Sequence, residues 1–210
     1  MQAGLPHNLN ERRDMKEEVL SAVVDVVTGV SLSRAQKPAA KVELMNVDVL
    51  LPQALAHASI NSALLESRQV YGVNDQFFTR EGDAVLKASP PYDCVYIGAA
   101  DAGLLVTSSC LILRPNNGDG TVGCYLAAYF SADRGVSELK AMSKGTAVKT
   151  IKKKDLEGAR VPYLNKKARQ RISDACGQVR ALRELCDAFS RKSELLLASE
   201  LDRLLQNNDN

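Results

Sequence analysis

The stretch GTAVKTIKKKDLEGARVPYLNKKARQRI, residues 145–172, joins two kinds of sequence. Before it lie short apolar runs broken by glycine and proline; after it one helical pattern continues to about Leu205. Widened to Lys140–Arg171, the segment holds eleven basic residues against two acids, Asp155 and Glu157, a net charge of +9. The whole 210-residue chain carries only +2, which leaves −7 for the remainder. Positive charge gathered in one place of an otherwise acidic chain points to a polyanionic partner.

Downstream of the junction, Asn165 is a natural N-cap, and Gly177 alone interrupts the helix formers that follow. Apolar residues recur at Ile172, Ala175, Val179, Leu182, Cys186, Phe189 and Leu196, spaced by threes and fours, then drift to Leu197, Leu201 and Leu204. The pattern predicts a spacer and dimerisation helix over residues 164–206, with 207–210 as a tail. Its partner face is Ile172, Val179, Leu182, Cys186, Phe189 and Leu196. At 1.5 Å per residue such a helix is about 60 Å long. No second long helix is predicted, so its mate is expected from another chain, most simply a second copy.

Upstream, a hydrophobic fraction of 45% and a charged fraction of 25% suit one globular domain with an extension. No run of about 18 apolar residues suggests a membrane span, and the polar start has no signal-peptide core. Five cysteines, none in a C-x-x-C pair, read as buried thiols in a reducing cytoplasm, with Cys110 and Cys124 in the core. Residues 1–26 are expected as an N-terminal helical arm, starting near Asn8–Asp14 with Asn10 as cap and turning to strand before Gly29. Residues 27–163 form the domain. Strands are expected at 41–51, Val70–Phe78, Asp83–Lys87, Asp93–Ile97 and Leu104–Leu113, with a short strand end at Ala159–Pro162. Arg80–Asp83 is a turn, Asn116–Gly120 and Lys140–Val148 are loops, and Cys124–Ala132 is a buried helix. The fold class is α+β: a mixed domain with a twisted, mostly antiparallel sheet, followed by a long C-terminal coiled-coil helix.

Catalytic chemistry finds little support. The two histidines, His7 and His57, have no Cys/His cluster around them for zinc, and no nucleophile elbow or Walker A pattern occurs. Ser89-Pro90-Pro91-Tyr92 matches the S-P-P-Y element with which amino-methyltransferases hold a flipped base. The glycine-containing run Gly98–Gly103 follows it, but no succession of βα units surrounds the pair, and a Pro-Pro loop between strands accounts for the motif. No catalytic residue, metal ligand or cofactor is assigned. Lys140, Lys144, Thr146, Lys149, Lys152, Lys153 and Lys154 are the candidates for holding phosphates. Arg34, Gln36, Lys37, Arg68, Gln69 and Lys87 are candidates on neighbouring loops for reaching bases. The absence of tryptophan and an aromatic fraction of 5% speak against a single-strand stacking platform.

Taken in order, several segments resemble the DNA specificity subunits of type I restriction–modification systems. Gly29 stands at the opening turn, and Glu81-Gly82-Asp83-Ala84-Val85-Leu86 resembles the family's L-x-x-G-D-I-L element. Ser108–Pro115 resembles the strand that follows and Gly123–Phe130 the buried helix. Gly145-Thr146, Ile151, Leu156, Val161-Pro162 and Gln170-Arg171-Ile172 resemble the closing run. The run Asn165–Arg169 departs from the family in being basic where acids are usual. The resemblance covers about Val27 to Leu205 and implies one target-recognition domain plus one spacer helix, half of a full subunit. It implies a non-enzymatic chain that binds double-stranded DNA, directs a separate methyltransferase subunit, and as a homodimer reads an inverted bipartite site. Two other readings stand beside it: a coiled-coil interaction adaptor with a basic surface, and a small DNA amino-methyltransferase using Ser89–Tyr92.

Overall fold

A strand that is apolar on both faces can only sit in the middle of a domain, and Cys110–Pro115 is such a strand. A computed structural model describes residues 16–38, 43–56, 58–145 and 149–208. In chain order the elements are β1 (Glu17–Val19), α1 (Leu20–Val23), β2 (Val24–Thr28), α2 (Leu32–Ala35), β3 (Leu44–Leu50), β4 (Leu55–Ala56), β5 (Ser59–Ile60), β6 (Glu66–Tyr71), β7 (Ala84–Lys87), β8 (Cys94–Tyr96), β9 (Leu105–Val106), β10 (Cys110–Pro115), α3 (Gly120–Ser131), α4 (Asp133–Met142), α5 (Lys153–Glu157), β11 (Arg160–Pro162) and α6 (Lys166–Asn208). The expectation of an α+β fold with a long C-terminal helix holds.

The central sheet has the order β2-β10-β7-β8 and is antiparallel throughout. Ile112 stands opposite Val27 on one side and Val85 on the other. Alternation then divides the strand between two cores. Leu111 and Leu113 join Val122, Leu126 and Phe130 of α3 and Leu139 of α4. Cys110 and Ile112 join Leu50, Leu55 and Val106. A second sheet, β6-β3-β9, pairs β3 antiparallel to β6 and parallel to β9. The closing strand β11 pairs with β1, and the Tyr125 hydroxyl of α3 donates to the Pro162 carbonyl.

Glycines let backbones meet, at Gly29 and Gly123 among others. A Cβ on Gly29 would lie 2.2 Å from the Thr107 carbonyl oxygen, and one on Gly123 would lie 1.9 Å from that of Gly82. Asp83, in the G-D element, is 1% exposed and receives the Arg114 guanidinium through contacts of 3.0 and 2.7 Å. That guanidinium also donates to the Gln76 and Phe78 carbonyls, so the buried pair leaves few lone pairs idle.

Several expectations need correction. The strand placed at Val70–Phe78 lies earlier, at Glu66–Tyr71. Its pairing with β3 ends at Leu44↔Tyr71, Gly72 turns with φ of 52°, and Asn74 caps a 3-10 turn at Asp75–Phe77. The single strand Leu104–Leu113 is two strands, because β9 follows β3 while β10 follows β2. A turn closed by Cys110 N–H to the Thr107 carbonyl separates them. Lys140, expected in a loop, is in the last turn of α4. The expected N-terminal helical arm is described only from Lys16, and there it is mostly extended: β1 and β2 flank a single helical turn. Cys94, Cys110 and Cys124 are buried as expected, and burial pushes the Cys110 thiol up to about 12; Cys186, however, is exposed. Expectations for Asn8–Asp14, His57 and Thr146 fall outside the described residues. Among the described residues no helix is long and apolar enough to cross a membrane.

The chain divides between Ile172 and Ser173 into two units. In the first, Ile172 packs against the core around α3. In the second, Val179, Leu182, Leu185, Phe189, Leu195, Leu196, Leu197, Leu201 and Leu204 are all exposed.

Gly123→Ala should force α3 away from the Gly82–Asp83 turn and destabilise the chain by about 1–3 kcal/mol, the usual cost of overpacking. For a domain of this size the thermal midpoint should drop by roughly 2–4 °C per kcal/mol. Gly118→Ala is the comparison for turn strain alone, since at a φ of 69° nothing lies within 4 Å of its Cβ position.

Candidate functional site

Ile151 anchors the basic segment. Its side chain is 3% exposed in the core, and its amide donates to the Ala88 carbonyl at the end of β7. Thr150 and Lys144 exchange two backbone hydrogen bonds of 2.9 and 3.0 Å, so the segment returns on itself here. With Ile151 directed inward, its neighbours Thr150, Lys152 and Lys153 are left exposed.

They border a cleft of about 480 Å3 whose other walls are the ends of the central strands. Thr28 ends β2, Ala88 and Ser89 follow β7, and Ser108 and Ser109 form the turn before β10. Ala88 N–H donates to the Ser109 carbonyl at 2.9 Å, which ties two of these walls together. Five hydroxyl-bearing residues and two lysines therefore line one depression together with Ala88, Leu111 and Ile151. Hydroxyls and ammonium groups both donate to phosphate oxygens.

Of the described residues singled out from sequence as DNA contacts, Lys152 and Lys153 line this cleft and the others do not. Lys144 lies close by in sequence and is paired with Asp155 at 2.7 Å; Lys153 meets Glu157 at 3.5 Å. Lys149, Lys152 and Lys154 are exposed and make no ion pair with a described residue. Lys140 is exposed on α4. Arg34, Gln36 and Lys37 are exposed in and just after α2, Arg68 pairs with Glu66 on β6, and Lys87 is half-buried at the end of β7. Sequence reading did not single out the hydroxyls of Thr28, Ser108, Ser109 and Thr150 as phosphate contacts, and it read Ser89 only as part of the S-P-P-Y element. The one signal for them is the Thr107-Ser108-Ser109 run, which breaks a string of apolar residues.

Arg169 counted among the segment's cations, yet it is 5% exposed. It donates to Asp119 Oδ2 at 2.9 Å, the Leu164 carbonyl at 2.6 Å and Thr121 Oγ1 at 3.3 Å, and it stacks 4.8 Å above the Tyr163 ring. Asp119 caps α3 through the Thr121 amide and hydroxyl. The Thr121 hydroxyl, aided by Arg169 and the Thr121 amide, holds the Asp119 carboxyl below its ordinary range, against partial burial that pushes it up. Beside this pair Asn165 caps α6 as expected, its Oδ1 accepting from Ala168 N–H at 2.9 Å.

The S-P-P-Y residues do not form a base-binding site. The Tyr92 ring is 4% exposed within the core around α3, so it has no open face on which a flipped base could stack. That removes the amino-methyltransferase reading.

No protein-family model and no curated protein matches this sequence. Among solved structures, the chain is similar to one described as the structural basis of complex assembly and conformational transition of the type I R-M system. The TM-score is 0.50 at 19% identity, over 87% of this chain and 42% of that one. It is also similar to the type I restriction–modification S subunit from M. genitalium (TM-score 0.48, 17% identity, 82% and 39% covered). A third is the HsdS subunit from Thermoanaerobacter tengcongensis (TM-score 0.46, 12% identity, 86% and 46% covered). The first likeness shows a shared fold. The chain spans less than half the length of each of these proteins.

Arg169→Ala should destabilise the domain by roughly 3 kcal/mol, the low end for breaking a buried pair. Because the Asp119 carboxyl is depressed in the folded state, its contribution is present above the unfolded value of about 3.9 and is lost as pH falls through the folded value. Asp119→Asn should therefore lower stability at neutral pH, with the gap to the parent narrowing below about pH 4. Urea unfolding at pH 7 and pH 3 measures both effects.

Proposed function

We propose that this chain is a sequence-specific double-stranded DNA-recognition subunit of a type I-like restriction–modification system, which directs a separate methyltransferase rather than doing chemistry itself. One observation carries the reading: a domain with the fold of a type I restriction–modification chain holds a cleft walled by five hydroxyls and two lysines. In this reading residues 27–163 are the recognition domain. Phosphates lie along Lys149, Lys152, Lys153 and Lys154, and Lys140, Lys144 and Thr146 are further candidates to hold them. Arg34, Gln36, Lys37, Arg68 and Lys87 contact DNA farther out. Each neutralised phosphate releases counterions, so binding weakens steeply with salt.

The second part of the proposal is a homodimer through residues 164–206. Its support is the exposed seam of Val179, Leu182, Phe189 and Leu196, which leaves large apolar side chains in water unless another helix covers them. Cys186 lies on the same seam, while Ile172 is occupied by the core of its own domain. A twofold pair would read two inverted half-sites with a fixed gap. The same seam favours one rival, a coiled-coil adaptor whose lysines face an acidic protein.

Selection from a random duplex library decides between them. An enriched inverted repeat with a constant gap is the expected result. A single half-site would remove the dimer, and no binding at low salt would select the adaptor. Lys152→Ala should weaken binding to all sequences alike and reduce the slope of log K against log salt by about one. Leu182→Asp with Phe189→Asp should yield a monomer in sedimentation.

A further inference from the structure

The antiparallel pair β3–β6 runs past the short third strand of its sheet. β9 pairs only with Val49 and Leu50, so residues 44–48 and 67–71 form a two-stranded ribbon. Alternation assigns its faces. Val49 and Val70 point to one side, into a small core with Ala35 of α2, and Val47 packs against the same core. On the other side stand Leu44, Asn46 and Asp48 opposite Tyr71, Gln69 and Ser67. Of these six only Tyr71 is even half-buried; the rest are exposed.

That open face has an unusual composition for a solvated sheet. It holds no lysine, arginine or glutamate. Asn46 and Gln69 stand directly across from each other, and neither amide is hydrogen-bonded to a described residue. Next to them Ser67 Oγ donates to Asp48 Oδ1 at 2.5 Å. Arg34 and Lys37 are exposed on and beside α2, which packs against β6. A face without cations is poorly suited to phosphates and well suited to the uncharged edges of bases.

We infer that the β3–β6 ribbon enters the major groove and that Asn46 and Gln69 read adenine there, resting on the proposal that the chain recognises duplex DNA. The major groove, about 12 Å wide, admits a two-stranded ribbon and distinguishes all four base pairs, whereas the minor groove, about 6 Å wide, offers a degenerate code. Asparagine and glutamine amides pair with adenine N6 and N7 in a bidentate manner, and a carboxylate accepts from cytosine N4. Alternate residues on one strand face are separated by about 6.8 Å, close to two base-pair steps of 3.4 Å. Asn46 and Asp48 therefore address bases two steps apart, adenine and cytosine respectively.

The test is duplex-library selection with the parent chain and with Asn46→Ala, Gln69→Ala and the double variant, followed by binding to the parent's selected site and to an unrelated duplex. The expected result is a parental motif in which preference at one or two adenine positions is relaxed by the variants. Affinity for the selected site should fall roughly 10-fold or more per amide removed. Affinity for the unrelated duplex, the salt slope and the thermal midpoint should not change, because both side chains are exposed. Variants that return the parental motif with parental affinity would overturn the ribbon assignment and leave DNA recognition standing. Failure of the parent chain to enrich any motif would overturn the recognition reading and the ribbon with it.

Discussion

Strand β10 is buried on both faces, and the rest of the domain is arranged around that constraint. Leu111 and Leu113 fill one core and Cys110 and Ile112 the other, each buried leucine or isoleucine being worth about 1.5–3 kcal/mol. A strand so placed has no room for polar chemistry along its length, so polar groups collect at its two ends. At the end carrying Arg114 the guanidinium is consumed by Asp83 and two carbonyls. At the other end Ser108 and Ser109 remain open and become a wall of the cleft. The position of the candidate site thus follows from the burial of the strand beside it.

Charge counting and charge geometry give different answers for the basic segment. Its two acids are already paired, Asp155 with Lys144 and Glu157 with Lys153. These pairs involve exposed lysines, and surface pairs contribute about 0–1 kcal/mol, so an arriving phosphate can displace either acid at little cost. Arg169 differs in kind. Its guanidinium is buried against Asp119 and the Leu164 carbonyl, and withdrawing it would leave both acceptors without their partner. The charge open to a polyanion is therefore that of the exposed lysines, with Arg169 serving the fold.

What the sequence revealed depended on whether a pattern is local. The long helix, its Asn165 cap, the G-D turn and the helix around Cys124 are written in adjacent residues, and each is found where periodicity places it. The break between β9 and β10 has no glycine or proline to announce it. It exists because two stretches of one apolar run pair with different partners, one parallel and one antiparallel, and pairing is non-local. The shift of β6 has the same origin, since its register follows β3 rather than its own most apolar window. The lysines of the site were legible as a charge run. The hydroxyls were not, because they come from four separate segments, and the burial of Arg169 depends on Asp119, fifty positions earlier.

Residues 173–204 pose the opposite problem to β10: large apolar side chains that remain exposed among the described residues. Helices held only by propensity are marginal in water, and most helical stability comes from packing an apolar face. A leucine-rich stripe on an uncovered helix is therefore a cost that a partner would remove. Charge suggests the orientation of that partner. Residues 166–186 carry six basic groups against two acids, whereas residues 187–208 carry three against four. A parallel pair would set the basic halves side by side. An antiparallel pair would set each basic half against the more acidic half of its mate.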